Sequence, residues 1–499
     1  MVESCGSGGI GRRVSLRSLW SLKAVWVRVP PSAPIQDAED FHPLFYQLGS
    51  PMSSHKNILL INPWIYDFTA YDFWLKPLGL LYMAALLKDH TDFRLSYIDC
   101  LDRHHPLLKR QPKTKEDGRG PFFKEEVSKP SALKKVPRKY SRYGIPLSLF
   151  LYELKKVPQP DLVLMTCTMT YWYPGVQTAV EMIRRRYGRV PIILGGVYPT
   201  LLPEHAVNHT GVDALCQGPG EKLLLPLINE ILGDGICPSL CFKSLEEISH
   251  PAFDLLRNKD TLPLLTSRGC PMRCSFCASS LLFEGFEQRS VFSVLKELEL
   301  LCSFYKTRHI AFYDDALLLN KDKHLIPILN GIIRRRLPLE FHTPNGLQVS
   351  EIDFGLSSLL KEAGFHSLFL SQETFDEALI KDSCPKISSE DLKQALDHLE
   401  RAGFVRSEIY VYLMVGLPDQ DILGIKEAIR RVQSLGAQPK LAYFSAIPGT
   451  TEWDRLVAKG YLDQDADPLL HNKLVFPYYW ANFSPDEFKS LKDMANPRI

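Results

Sequence analysis

The run Thr266-Ser-Arg-Gly-Cys270-Pro-Met-Arg-Cys274-Ser-Phe-Cys277 constrains this chain more than any other feature. Its C-x3-C-x2-C spacing supplies three thiolates from one short loop. Three thiolates can hold three irons of a [4Fe–4S] cube and leave the fourth iron open to a small ligand. Four-cysteine clusters usually move electrons, whereas a cluster with one open iron can bind and activate a substrate. A zinc knuckle and plain buried cysteines are the rival readings. Zinc wants a fourth Cys or His close by, and none follows within the loop.

At 499 residues the chain exceeds a single core, so two or three domains are expected. A formal net charge of +2 decides nothing about polyanionic partners. No apolar run approaches the roughly 18–20 residues of a membrane span. Apart from the triplet, the eleven cysteines are scattered, which suits a reducing cytoplasm better than a secreted disulfide scaffold. Residues 1–51, rich in Arg and Ser and without a regular apolar period, read as a spurious, disordered extension ahead of Met52. Cys5 is then without function.

From Lys56 to about Leu232 the pattern alternates strand and helix. Short apolar strands are expected at Ile58–Pro63, Phe93–Ile98, Asp161–Thr166 and Pro191–Leu194. These suit a doubly wound (Rossmann-like) parallel sheet, with ligands outside its carboxyl edge. Three glycine- and proline-bearing stretches fall at that edge: Pro77-Leu-Gly79, Gly195-Gly196-Val-Tyr-Pro199-Thr200 and Gly218-Pro-Gly220-Glu221. Residues 103–144 form a polar, strongly basic insertion in which Pro and Gly argue against regular structure. It reads either as a solvated lid or as a clamp for phosphate or nucleic acid through Arg138, Lys139, Tyr140, Arg142 and Tyr143. After a connector at 236–262, strands recur at Leu264–Ser267, His309–Tyr313, Leu339–Thr343, Ser367–Leu370, Ile409–Val415 and Leu441–Ala446. Helical sequence separates them. That rhythm is a partial (β/α)6 barrel, whose chemistry sits at the carboxyl ends of its strands.

The cysteine loop, with Phe276 before the last cysteine and Ser-Arg-Gly-Cys-Pro leading in, resembles the radical S-adenosylmethionine (radical SAM) enzymes. The ordered glycine-rich stretches resemble the cobalamin-binding domain fused to one large class of them. These resemblances imply five segments. Residues 1–51 are the extension, 52–235 a cobalamin-binding-like domain and 236–262 the connector. The radical SAM barrel takes 263–455, and 456–499 form a helical closure of its open side. They imply Cys270, Cys274 and Cys277 as cluster ligands. Around SAM they place Phe276, Asp314, Asp315, Ser371, Glu373, Gly416 and Pro418, with Asn345-Gly346 and Ile447–Thr450 at neighbouring strand ends. For cobalamin they give Pro77, Gly79, Gly195, Gly196, Pro199, Thr200, Gly218, Gly220 and Glu221. Each carboxylate has a plainer reading as a helix N-cap.

The implied cofactors are a [4Fe–4S] cluster, SAM and cobalamin. The implied activity is reductive cleavage of SAM with hydrogen abstraction from an unactivated carbon and methyl transfer to a small-molecule substrate. An electron donor such as flavodoxin or ferredoxin is needed, and neither membrane nor nucleic acid is expected as a partner. One departure concerns cobalt. The Asp-x-His-x-x-Gly run that supplies a cobalt-ligating His in some cobalamin domains is replaced by Asn62-Pro-Trp-Ile-Tyr66, and Asp102-Arg-His104 follows a different strand. A cobalamin without a histidine ligand is therefore expected. A tRNA methylthiotransferase, with a second cluster on Cys100, Cys167 and Cys216, is the rival enzyme, and an iron–sulfur electron-transfer protein the non-enzymatic one. Cys302 and Cys384 read as core and surface residues.

Overall fold

The computed structural model describes residues 55–240, 242, 244–376, 379–380 and 389–496. The expectations for residues 1–51 and for Cys384 lie outside these.

Five apolar segments make one parallel sheet: β1 (Asn57–Asn62), β2 (Arg94–Asp99), β3 (Leu162–Thr166), β4 (Ile192–Gly195) and β5 (Ala214–Cys216). Its order is β5-β4-β3-β1-β2, with Ile58 of β1 opposite Leu95 on one side and Leu162 on the other. Every residue of β3 is buried, as expected of a strand covered on both faces. In this order the chain reverses direction across the sheet between β1 and β3. That switch point is where ligands of open α/β sheets bind.

The second half carries two four-stranded parallel sheets where one six-stranded wall was expected. The first runs β6 (Thr261–Leu264), β7 (His309–Phe312), β8 (Glu340–His342) and β9 (Phe365–Ser367). The second runs Leu347–Gln348, β10 (Phe369–Glu373), β11 (Tyr410–Val415) and β12 (Gln438–Tyr443). The predicted fourth strand is thus divided at Leu368, whose carbonyl still accepts from Tyr410 N–H at 3.0 Å. Thr343 bridges the break by accepting from Phe369 N–H at 3.1 Å. The predicted first strand also stops early, at Leu264. Thr266 and Ser267 turn out of line because Asp314 captures their backbone and hydroxyl donors, and Ser267–Arg268 pair instead with Glu287–Gln288.

β6 and β12 are the outer edges of these two sheets, which leaves a lateral opening. Two segments of the N-terminal half fill it. Gly118, at φ +83°, fits so closely on β6 that a Cβ there would lie 2.1 Å from Thr261 Oγ1. Trp74 is fully buried in the bore, stacked on His342 with ring centroids 4.4 Å apart and edge-on to Phe369 at 6.5 Å. Its Nε1 donates to the Asp117 carbonyl at 2.6 Å. Arg119 lies over both Phe73 and Trp74, at 4.9 and 4.8 Å from their rings. Lys440 of β12 is near enough to Arg119 and Lys115 for burial first, and then their charges, to push its ammonium down.

The insertion therefore is not an irregular basic lid. Lys124–Val127 and Tyr140–Tyr143 pair as an antiparallel ribbon extended by Ile65–Asp67. The basic residues had masked its apolar anchors, since Phe122, Leu133, Val136, Tyr140 and Tyr143 are all buried. Two cations of the supposed clamp are engaged within the ribbon, Arg142 with Glu125 and Lys139 with Glu126. The C-terminal segment lies against the edge strand β12. Its helix Pro485–Ala495 packs on β12 and on helix Ile422–Ser434. Its preceding turn reaches the N-terminal half, with Asn472 Nδ2 donating to Asp67 at 2.9 Å and His471 hydrogen-bonded to Thr170 at 3.0 Å. One apolar core runs through both halves, from Leu59 and Ile61 to Phe312 and Trp453.

Candidate functional site

The cysteine loop leaves β6 and is tied down at four points. Asp314, buried just beyond β7, accepts from Thr266 N–H at 3.1 Å and from the Thr266 and Ser267 hydroxyls, each at 2.6 Å. The Ser279 hydroxyl donates to Asp315 at 2.6 Å, and the Ser275 hydroxyl to buried Glu452 at 2.6 Å. Gly269, at φ +80°, lets the Gly285 carbonyl approach where a Cβ would lie 2.1 Å away. Asp314 is thus a positioning residue rather than an open carboxylate. Glu452 escaped the sequence reading. Only its place two residues after Thr450, which caps helix Thr451–Ala458, could have pointed to it.

The three sulfurs lie within electrostatic reach of one another. Although Cys277 is partly open to solvent, the protein packed around it first, then Asp315, Cys274 and Cys270, push its thiol up to about 11. A thiol crowded by like charges gains its thiolate form from a metal cation. The loop thus fits an iron–sulfur cluster. Among the described residues, no three His, Cys, Asp or Glu side chains converge as on a single metal ion. Cys100, Cys167 and Cys216 do not form a second centre. They follow or end β2, β3 and β5, with β1 and β4 interposed, so neighbours in that series stand about two strand spacings, or roughly 10 Å, apart.

The remaining SAM candidates sit at strand ends. Phe276 is half-buried on the loop, and Ser371 lies against Gly346, where a Cβ would be 2.3 Å from its Oγ. Gly416, at φ +104°, accommodates the Phe476 ring, 2.7 Å from where a Cβ would stand. Its N–H donates to Gln420 Oε1 at 2.8 Å, which closes the turn around buried Pro418. Glu373 ends β10 at φ +59°, and one of its carboxylate oxygens is buried without a partner. Burial pushes this carboxyl up to about 7. Below about pH 4.5 the acid is neutral whether folded or unfolded. As pH rises toward 7 only the unfolded chain ionises, and stability is lost. Glu373→Gln is therefore expected to stabilise the ligand-free protein at pH 8, by about 2–3 kcal/mol, and to leave it unchanged at pH 4. Urea titrations at the two pH values check this, and equal gains at both would refute it.

At the switch point of the five-stranded sheet, Asn62, Trp64, Lys76, Pro77, Thr166, Cys167 and Trp172 line a crevice. Helices Leu78–His90 and Gly220–Leu232 start at this edge, neither with a side-chain cap, and Met83 lies against Gly220. A Cβ on Gly79 would meet nothing within 4 Å, and one on Gly218 only Leu223 at 4.0 Å. These positions leave room for a ligand with polar groups to approach the open backbone amides, and so fit cobalamin. Thr200 braces the edge, donating to the Gly196 carbonyl at 2.8 Å and accepting from Gly218 N–H at 3.0 Å. Other members of the predicted set serve packing. A Cβ on Gly196 would lie 2.7 Å from the Cys167 carbonyl, Gly195 backs Cys216, and Pro199 is buried. Glu221 is buried and ion-paired with Arg268 in the lead-in to the cysteine loop. This pair ties the sheet's ligand edge to the cluster loop. No histidine lines the crevice among the described residues.

Two family matches fall on these two places. Residues 264–432 match the Radical SAM superfamily, and residues 151–227 match the B12 binding domain. The chain is a radical SAM enzyme with a B12-binding domain. Its cofactors are accordingly a [4Fe–4S] cluster, SAM and cobalamin. The enzyme is similar to the uncharacterized methyltransferase PH0819 of Pyrococcus horikoshii, at 26% identity over 68% of this chain and 76% of the relative. It is also similar to an anaerobic magnesium-protoporphyrin IX monomethyl ester cyclase of Cereibacter sphaeroides, at 23% identity over 59% of this chain and 52% of that one. Among solved structures it shares the fold of the radical SAM methyltransferase TsrM from Kitasatospora setae. The TM-score is 0.62 at 17% identity, over 89% of each chain. Among the described residues, no helix is long and apolar enough to cross a membrane.

Proposed function

We propose that this enzyme is a cobalamin-dependent methyltransferase that abstracts hydrogen from an unactivated carbon of a small molecule and methylates it. The observation that carries the reading is the part-buried Glu221–Arg268 pair, which couples the B12-binding domain directly to the cysteine loop. Two cofactors that must act on one substrate need such a fixed relation. The curated relatives named as methyltransferases support it, as does the Kitasatospora enzyme, whose structure holds tryptophan and a SAM analogue.

When bound, the cluster supplies the electron that splits SAM, and cobalamin the methyl group. Cys270, Cys274 and Cys277 would hold the cluster, and Asp314, Asp315 and Glu452 keep their loop in place. Asp315 and Glu373 answer the SAM ammonium and hydroxyls, since charged groups in a partly dry site need partners. Phe276, Ser371 and the turn Gly416–Pro418 complete that pocket. Pro77, Gly79, Thr200 and Gly218 would line the cobalamin edge. An external donor such as flavodoxin or ferredoxin provides electrons.

The test is anaerobic reconstitution of the full chain with iron, sulfide and cobalamin, followed by desalting. We expect about four irons and about one cobalt per chain. With reductant, SAM should yield 5′-deoxyadenosine and S-adenosylhomocysteine. About four irons without cobalt would reject methyl transfer from cobalamin, and retained cobalt without SAM cleavage would reject the radical step.

A further inference from the structure

β7 runs straight into Tyr313-Asp314-Asp315, and these three consecutive side chains hold three different pieces of the molecule. Asp314 holds the lead-in to the cysteine loop through Thr266 and Ser267, and Asp315 holds Ser279, two residues beyond Cys277. Tyr313 reaches the N-terminal half instead. Its hydroxyl donates to the Trp74 carbonyl and accepts from Lys76 N–H at 2.9 Å. These two groups bracket Leu75, and Leu75-Lys76-Pro77 form one wall of the switch-point crevice. Helix Leu78–His90 starts directly after them, with Leu78 N–H donating to the Lys76 carbonyl at 2.9 Å.

This wall is held in a shape that its own backbone does not favour. Trp74 sits at φ +62°, which a bulky L residue adopts only where its surroundings impose it. On one side the hold is local, because Asp72 accepts from Leu75 N–H at 2.8 Å and is itself bound by Arg103 Nε at 2.7 Å. On the other side it comes from the barrel, through the single Tyr313 hydroxyl that serves both Trp74 and Lys76. Burial pushes the Tyr313 phenol up, so the hydroxyl keeps its proton and remains a donor at neutral pH.

The strand end that carries this hydroxyl is itself braced. Asn345 Nδ2 donates to the Tyr313 carbonyl at 3.0 Å and to the Asp314 carbonyl at 3.2 Å. The Glu221–Arg268 pair ties the start of helix Gly220–Leu232 to the cysteine loop. Tyr313 does the same for the residues ahead of helix Leu78–His90, from the same strand end that fixes the loop.

We propose that Tyr313 is a positioning residue that sets the Leu75–Pro77 wall of the cobalamin crevice in register with the cysteine loop. It acts through the backbone of residues 74–76. The inference rests on the cobalamin-dependent reading above and names a residue that keeps the two cofactor sites in a fixed relation.

The test compares the full chain with Tyr313→Phe, each reconstituted with the cluster and titrated with cob(II)alamin. The variant loses one hydroxyl and keeps its ring, and melting curves establish that it folds. Both proteins should hold about four irons. The cobalamin dissociation constant of Tyr313→Phe should rise about tenfold, because its wall occupies the binding-competent form only part of the time. The magnetic coupling between cob(II)alamin and the reduced cluster, read by electron paramagnetic resonance, should broaden from one value to a distribution. Tyr479→Phe is the comparison. It also removes a hydrogen bond between the two halves, to the Ala132 carbonyl at 2.8 Å, but on the insertion rather than on residues 74–77. It should match the parent in both readouts. The inference is overturned if Tyr313→Phe matches the parent in affinity and coupling. It is equally overturned if Tyr479→Phe shows the same losses, since any bond between the halves would then suffice. A parent that holds iron and binds no cobalamin would overturn the cobalamin-dependent reading and this inference with it, a result distinct from the other two. None of these readouts requires turnover.

Discussion

Cys274→Ala is expected to give a colourless protein that retains little iron after reconstitution and cleaves SAM at the uncatalysed background. The loss should be at least about a thousandfold, since catalysed rates of this kind exceed background by roughly 10⁶ or more. The fold should survive. The cysteine loop lies at the surface, with Cys277 exposed and Cys274 half-buried, so the metal-free protein should change in stability by less than about 0.5 kcal/mol. Glu452→Gln provides the contrast. It leaves all three thiols in place and disturbs the 2.6 Å contact that orients Ser275, along with a local ion pair to Arg455 at 3.0 Å. Residues that orient metal ligands typically affect affinity or activity by about 10–100-fold, and iron content with SAM turnover should fall in that range. An active, iron-replete Cys274→Ala protein would show that the loop is not the cluster site.

The largest stability effect is expected at Trp74. Trp74→Ala removes a fully buried indole from the barrel bore and leaves the Asp117 carbonyl without its donor. Truncation of a buried Trp typically costs about 3–5 kcal/mol. Trp74→Phe keeps an aromatic face against His342 and loses the hydrogen bond, which should cost about 1 kcal/mol. Phe292→Ala is the control, because that ring is 72% exposed on helix Val291–Ser303. Urea midpoints should rank Trp74→Ala far below Trp74→Phe, with Phe292→Ala near the parent. If Trp74→Ala matches Phe292→Ala, the bore is not held by this residue.

The sequence was legible where one residue type has one use. Three thiolates on a short loop, continuous apolar strands such as Ile58–Ile61, and glycines at a sheet's carboxyl edge each carry a local physical reason. Asp314 shows where that ends. Its place after β7 was visible, but a capturing carboxylate and an open one have the same local sequence, and only the fold brings Thr266 and Ser267 to it from 47–48 residues away. Glu221 likewise read as part of a ligand edge, yet its partner Arg268 lies in the other half of the chain. The insertion was misread because its lysines and arginines dominate its composition, while its structure depends on a few buried aromatic and aliphatic residues. Leu368 divides a run that reads as one strand, since an apolar residue at a bend between two sheets looks like any other strand residue.

The filling of the barrel by Trp74 also bears on the order in which the chain can mature. Trp74 leaves the ribosome some 268 residues before His342, on which it finally stacks. Until β8 and β10 exist, the loop that carries Phe73 and Trp74 has no apolar surface to meet. Contacts this distant in sequence are slow to close, and exposed aromatic segments invite aggregation meanwhile. The nascent N-terminal half therefore carries an uncovered aromatic segment until the barrel forms, and a barrel synthesised without it has an unfilled interior.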